Sequence, residues 1–556
     1  MRTLITSALP YVNNIPHLGN IIGCVLSADV YTRYKRLNKE DVLFVCGTDE
    51  YGTATETKAQ EQNVTPREIC NKYHKIHKEI YDWFNISFDI FGRTSCENPS
   101  DTNWSQTKLC HDIFNKLVDN NLIYEKEIEQ LYSEDLNKFC ADRYIKGTCP
   151  LCKFVDANGD QCDMCGKLYS ATELIDPYYK LNPEFKLVKK RTLHLFLKLS
   201  ELQNKLKEWY DSNDGSWTNV AEGITKSWLN DDLHDRCITR DLEWGTPVPD
   251  TEKFGDKFKN KVFYVWFDAP IGYISITANK LDTWKDWWKN KDVKLINFMA
   301  KDNVPFHSII FPACLIGTRD NYNLVNTIAA VDYLNYEDKK FSKSNNIGVF
   351  GDDAIKSGLC TDIWRFYLVR VRPETNDSFF TWNDFEAKIN SELVNNFSNL
   401  VNRILVLTYK YFKVIPEIKD INLYEELNSK YNNFLDLYKS NMNKIRLREG
   451  LINFIKFSSE CNVFINIYEP WSLIKSDRGK TEQVLGVLCN ILIKLSVLGL
   501  PFIPDSCNKI QNILNIKCSE YEFDINQFVW STLNKPEILF KRISQDKLDE
   551  LKSKFS

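Results

Sequence analysis

The sequence predicts an α/β protein: a parallel sheet flanked by helices, interrupted by a cysteine-bearing insertion and followed by a long helical region. Three observations carry this. Short apolar runs at 3–6 and 42–46 are bounded by polar or turn residues, as strands buried on both faces require. From about residue 118 the composition turns polar and cysteine-bearing, and the apolar runs resume only near Lys261. Beyond residue 387 apolar residues recur at helical intervals, as in the stripe Phe397, Leu400, Val401, Ile404 and Leu405. A chain of 556 residues exceeds what one core can organise, so three or four units are expected.

The first strand leads into Ser7-Ala8-Leu9-Pro10-Tyr11, and Pro10 and Pro16 hold the following loop extended. The spacing of Ile21, Ile22, Val25, Leu26 and Val30 is helical, which puts His17 to Asn20 at a helix start. Unpaired N–H groups and the positive end of the dipole suit phosphate there. Gly19 lets a ligand approach the backbone, while His17 and Asn20, one turn apart, can both donate to an anion. A capping histidine would leave the same pattern. Far downstream, Lys340-Phe341-Ser342-Lys343-Ser344 supplies two lysines, although alone it reads equally as a solvated basic turn. As a pair, the two stretches resemble the ATP motifs of class I aminoacyl-tRNA synthetases.

A second buried strand is expected across Asp41-Val42-Leu43-Phe44-Val45-Cys46, with Asp49 just past its carboxyl end. Ligands of parallel sheets bind at that end, so Asp49 can hold a substrate amine; its spacing also suits a cap on a helix starting near Thr53. Within the insertion, Cys149-x2-Cys152 and Cys162-x2-Cys165 are separated by nine residues and match the two knuckles of a closed, structural zinc site. A metal staple suits a segment with few apolar residues to bury; the alternative is four unrelated thiols. The sheet is then expected to resume with a strand over 261–267, leaving Trp266 and Tyr273 at or beyond its end as walls of an apolar pocket. Another strand at 293–298 leads to Asp302, a carboxylate placed to take ribose hydroxyls. Periodicity alone would assign these aromatics to the core.

Taken together, Ala8 to Tyr11, His17 to Asn20, Trp266 to Tyr273, Lys301 to His307, Lys340 to Ser344, the four cysteines and Tyr468-Glu469-Pro470-Trp471-Ser472 resemble the methionyl-tRNA synthetase family over nearly the whole chain. The resemblance implies a Rossmann-type catalytic domain in two halves, 1–117 and 255–328, around a connective insertion with a zinc knuckle at 118–254. A stem-contact unit at 329–386 would carry the lysine loop, and a helical anticodon-binding domain would fill 387–556. The implied reaction joins L-methionine and ATP into methionyl-adenylate, then moves methionine to the terminal adenosine of tRNA(Met). In it His17, Asn20, Lys340 and Lys343 are catalytic, and Gly19, Asp302, Ser342 and Ser344 also hold ATP, which arrives with Mg2+. Methionine would lie among Ala8, Leu9, Tyr11, Asp49, Trp266, Ala269, Pro270, Tyr273, Phe306, His307 and Phe311. Asn399, Arg403 and Trp471 would read the anticodon, and Cys149, Cys152, Cys162 and Cys165 would hold Zn2+.

Some positions depart from the family pattern. Asn20 replaces a frequent histidine, Ala300 a frequent glycine, and Phe311 the tryptophan of bacterial relatives. The stretch 132–140 lacks the second knuckle that some relatives bear, so one zinc is expected. A net charge of -4 argues against a non-specific nucleic-acid binder while leaving room for local basic patches. Seventeen cysteines without a leader-like start are expected to be reduced thiols of a cytoplasmic protein. The longest uncharged run, 484–493, is too short to span a bilayer, so no membrane partner is expected. A monomer is expected, with membership of a multi-protein synthetase assembly left open. A related synthetase of other specificity, or a tRNA-binding scaffold without catalysis, are the competing classes.

Overall fold

The computed structural model describes residues 2–159, 162, 164–165, 169–213, 215–337, 347–516 and 528–555. Its centre is a five-stranded sheet of β1 (Arg2–Ser7), β2 (Asp41–Thr48), β3 (Ile90–Arg93), β4 (Val293–Ala300) and β5 (Thr327–Val331). The order is β5-β4-β1-β2-β3, and every pairing is parallel. Strand order reverses between β1 and β4, which opens a crevice beyond their carboxyl ends. Leu4, Ile5, Phe44, Val45, Phe298 and Met299 are fully buried because helices cover both faces.

One expectation fails here. In place of a strand over 261–267, only Val262–Phe263 is extended, pairing antiparallel with Thr239–Arg240, and a helix runs Val265–Ala278. That helix is buried on nearly all sides, and a segment apolar all round carries no period by which a helix and a strand can be told apart. Trp266 and Tyr273 therefore project from a helix, nearly two turns apart.

The insertion forms a four-stranded antiparallel sheet built on the long pair Ile123–Ser133 and Leu187–Leu197, with a three-stranded sheet beside it. Downstream, long helices such as Ile421–Asn443, Leu447–Tyr468 and Arg478–Gly499 make a bundle whose core is continuous with one face of the central sheet. Arg365, fully buried, fastens that junction: it donates to Asp29 Oδ2 at 2.7 Å and to the carbonyls of Phe84 and Pro501 at 2.8 Å each. Helix Arg478–Gly499 is long and apolar enough to cross a membrane, but 89% of its apolar window is buried inside the bundle.

Candidate active site

His17 is the N-cap of the helix that opens at Leu18. The Asn20 N–H donates to His17 Nδ1 and the His17 N–H donates to Asn20 Oδ1, both at 3.2 Å. An accepting Nδ1 places the ring proton on Nε2, and burial pulls the imidazole down to about 4, so it is neutral at physiological pH. Gly19 is required by a close approach: a Cβ there would stand 2.9 Å from the His17 ring and 3.2 Å from the Leu334 carbonyl.

The sequence-predicted Lys340, Ser342, Lys343 and Ser344 lie outside the described residues. The chain on either side of them returns to this helix start. Leu334 precedes them against Gly19; after them, the Leu18 N–H donates to the Val349 carbonyl at 3.2 Å and the Gly351 N–H to the Pro16 carbonyl at 2.8 Å. Phe350 sets its ring edge-on to His17, centroids 6.4 Å apart.

Beside the helix start lies a pocket at the carboxyl ends of β1 and β2. Its walls include Ala8, Leu9, Tyr11, Trp266, Ala269, Pro270, Tyr273, Phe306 and His307, with Asp49 among them. His307 is fixed by both nitrogens: Nδ1 lies 2.9 Å from the Asn303 carbonyl, and Nε2 lies 2.8 Å from the Tyr273 hydroxyl. A ring that gives its Nδ1 proton to a carbonyl and accepts at Nε2 is neutral, and burial pulls it down to about 4. Trp266 and Phe306 meet edge-to-face at 4.8 Å. The lining thus sets aromatic surface beside the polar groups of Asp49, Asn303 and the Tyr273–His307 pair.

Asp49 does not cap a helix, since the N-cap near Thr53 is Gly52 and has no side-chain bond. Its backbone is held by the Pro10 carbonyl at 2.9 Å, and burial, with Asp268 and Glu50 adding to it, raises its carboxyl well above the usual range. Glu50, one residue on, is equally buried but well partnered: Arg93 donates to it at 2.8 Å, Thr48 Oγ1 at 2.8 Å, and Ser95 Oγ as well. A pocket carboxylate without such a cation favours a cationic ligand group.

Phe311 is not on the pocket wall; it is buried one turn beyond His307. Sequence reasoning missed Val265 and Asn303, which do line the pocket. Val265 could have been found had the helix been recognised, because it stands four residues before Ala269 and shares its face. Asp302 lies outside the pocket, exposed in the turn that ends β4, while its neighbour Lys301 is tied to Asp332 at 2.7 Å and Asp377 at 3.0 Å.

Two further groups of residues lie elsewhere. Cys149, Cys152, Cys162 and Cys165 converge with all four sulfurs within 4.8 Å of one another, and the pairs Cys149–Cys165 and Cys152–Cys162 are 4.0 and 3.5 Å apart. A tetrahedron with Zn–S bonds of about 2.3 Å has edges of about 3.8 Å, so the donor set fits a closed four-thiolate site. On the bundle, the Arg403 guanidinium lies 4.4 Å over the Trp471 ring and donates to Asn466 Oδ1 at 2.7 Å. Asn399 is exposed one turn before Arg403 on the same helix.

Residues 3–405 match the family "tRNA synthetases class I (M)", and 416–556 match "Anticodon binding domain of methionyl tRNA ligase". The chain is 51% identical to the probable cytoplasmic methionine--tRNA ligase of Dictyostelium discoideum, with 100% of this chain and 75% of the relative aligned. It is 47% identical to the human cytoplasmic methionine--tRNA ligase, again over 100% of this chain but 61% of the relative. The Mycobacterium tuberculosis methionyl-tRNA synthetase, solved with methionyl-adenylate, shares the fold with a TM-score of 0.80 at 21% identity, over 98% of this chain and 100% of that one. From its sheet to its helical bundle, the chain belongs to the class I methionyl-tRNA synthetase family.

Proposed function

We propose that this chain is a methionine--tRNA ligase that activates L-methionine with ATP and transfers it to tRNA(Met). The observation that carries the reading is Asp49: a buried carboxylate with no described cation beside it, on the wall of an aromatic pocket next to a helix start. Methionine's ammonium would pair with Asp49 and its thioether would lie among Leu9, Tyr11, Trp266, Tyr273 and His307. This directs its carboxylate toward the helix start, where His17 Nε2–H and the Asn20 amide would donate to the triphosphate of ATP.

A carboxylate is already a competent nucleophile, so the protein's task is to align it with the α-phosphate and to stabilise charge on the leaving pyrophosphate. Lys340 and Lys343 would supply positive charge to that group, and Mg2+ bound with ATP would share it. Support for the lysine loop comes from its flanks, both of which contact residues 16–19. Asp302 would take the ribose hydroxyls. Zn2+ on the four cysteines would hold the insertion, and Asn399, Arg403 and Trp471 would read the anticodon by edge contacts and stacking. The relatives' names support a cytoplasmic setting; a monomer is the proposed state.

Charging of a tRNA(Met) transcript with labelled methionine tests the reading. Methionine esterified to the transcript, dependent on ATP, is expected; a chain that binds the transcript but never charges it would be the scaffold instead.

A further inference from the structure

The Arg236 side chain makes no salt bridge or hydrogen bond among the described residues, and its Nε is buried without a partner. It stands on the short strand Arg236–Cys237 at the edge of the insertion's four-stranded sheet. The adjacent Asp235 forms no ion pair with it and instead accepts from the Ser200 N–H and hydroxyl at 3.1 and 2.7 Å. Two indoles hold the guanidinium instead, Trp228 at 5.2 Å and Trp266 at 5.9 Å from ring centroid to guanidinium carbon.

Trp266 is the pocket-wall ring, and it stacks on Tyr264 at 5.4 Å with planes 26° apart; Arg240 in turn lies 3.6 Å over Tyr264. A row of half-buried flat groups therefore runs from the insertion to the pocket mouth: Trp228, Arg236, Trp266, Tyr264, Arg240. Arg240 is paired with Asp142 at 3.6 Å, which leaves Arg236 between two indoles as the cation of the row that lacks an acidic partner among the described residues. A guanidinium flanked by aromatic rings suits single-stranded nucleic acid, the rings taking bases and the cation a phosphate. Neither Trp228 nor Arg236 lines the pocket itself, so an amino acid seated against Asp49 stays clear of them.

We propose that Trp228 and Arg236 guide the single-stranded 3′ end of tRNA into the pocket, Arg236 pairing with a backbone phosphate and Trp228 stacking on an unpaired base. The inference rests on the proposed aminoacylation reaction. In that reaction the terminal ribose hydroxyl must reach a carbonyl held at the pocket mouth. Two partial reactions separate this role from amino-acid activation. In the full chain, Arg236→Ala and Trp228→Ala are expected to slow single-turnover transfer from preformed methionyl-adenylate to tRNA(Met) about tenfold or more, the scale of one lost stack or phosphate contact. Methionine-dependent ATP–pyrophosphate exchange without tRNA should stay within about twofold of the parent. Arg236→Lys and Trp228→Phe should each recover part of the transfer rate, which repair of a misfolded insertion would not explain. Transfer unchanged in Arg236→Ala, or exchange lost as severely as transfer, overturns the proposal. A parent chain that shows no exchange at all defeats the functional reading first.

Discussion

The two carboxylates at the end of β2 and the four thiols of the insertion hold functional geometry by opposite means. Glu50 sits inside a finished polar network with Arg93, Thr48 and Ser95, and Asp49 is carried on that fixed backbone with its carboxyl lacking any cation among the described residues, so that a cationic ligand would favour its ionised form. The knuckle part of the insertion has little to bury: the apolar cluster around Tyr144, Ile145 and Tyr179 is small beside the clusters of the sheet and bundle, and the knuckle depends on sulfur donors meeting at one point. A scaffold that is already satisfied can present an unsatisfied group, whereas the knuckle's ligand is itself the scaffold.

The sharpest way to break this contrast is Glu50→Ala. It leaves the Arg93 guanidinium without its buried partner, and a loss of about 3 to 5 kcal/mol in urea unfolding is expected. A loss below about 1 kcal/mol, the level of an exposed pair, would mean the network does not carry β2's end.

Asp49→Asn should instead spare stability and raise the methionine KM about 10- to 150-fold, the range for one charged hydrogen bond, with the ATP KM little changed. The parent's methionine KM should rise as pH falls, because the raised Asp49 carboxyl takes up a proton at a higher pH than an ordinary aspartate and the neutral acid no longer pairs with ammonium. A KM for methionine that ignores both the substitution and pH contradicts the assignment.

Cys149→Ser should act on the insertion and barely on the pocket. Zinc content is expected to fall from about one per chain toward none, with faster proteolysis within 145–179, while exchange activity without tRNA changes less than about threefold. Equal loss of exchange would show that the two regions are not independent.

The smallest effect is a null one at His17. Burial holds its imidazole at about 4 against 6.5 in an unfolded chain, so it stays neutral from pH 5.5 to 8 and the ATP KM should vary with pH in parallel in the parent and in His17→Gln, both following only the terminal phosphate of ATP. An inflection near 6.5 present in the parent and absent from His17→Gln would mean the ring is charged when it meets phosphate.

Much of this arrangement was legible in the sequence because it is local. The strands β1, β2 and β4 are short apolar runs with polar borders, and the cap at His17 follows from a helical period that starts after it. The cysteine spacing predicts the convergence that the sulfurs show. The helix Val265–Ala278 was misread because an element buried all round has no amphipathic signal. Phe311 was placed on the pocket wall for a related reason: a one-turn difference along a buried helix separates lining from core, and sequence does not reveal which face meets the cavity. Glu50 drew no notice, since its partner Arg93 is 43 residues away and only strand pairing between β2 and β3 brings them together. Arg236 was missed because a basic residue in a polar stretch looks solvated until its neighbours are known.

Amino-acid-dependent ATP–pyrophosphate exchange, run without tRNA across methionine, homocysteine, leucine, isoleucine, valine and cysteine, tests the central claim most directly. Rapid exchange is predicted with methionine, and weaker exchange with homocysteine, since a missing methyl in such a pocket is discriminated by only about 1 to 3 kcal/mol. Exchange with none of them, or preference for a branched aliphatic side chain over methionine, would contradict the account.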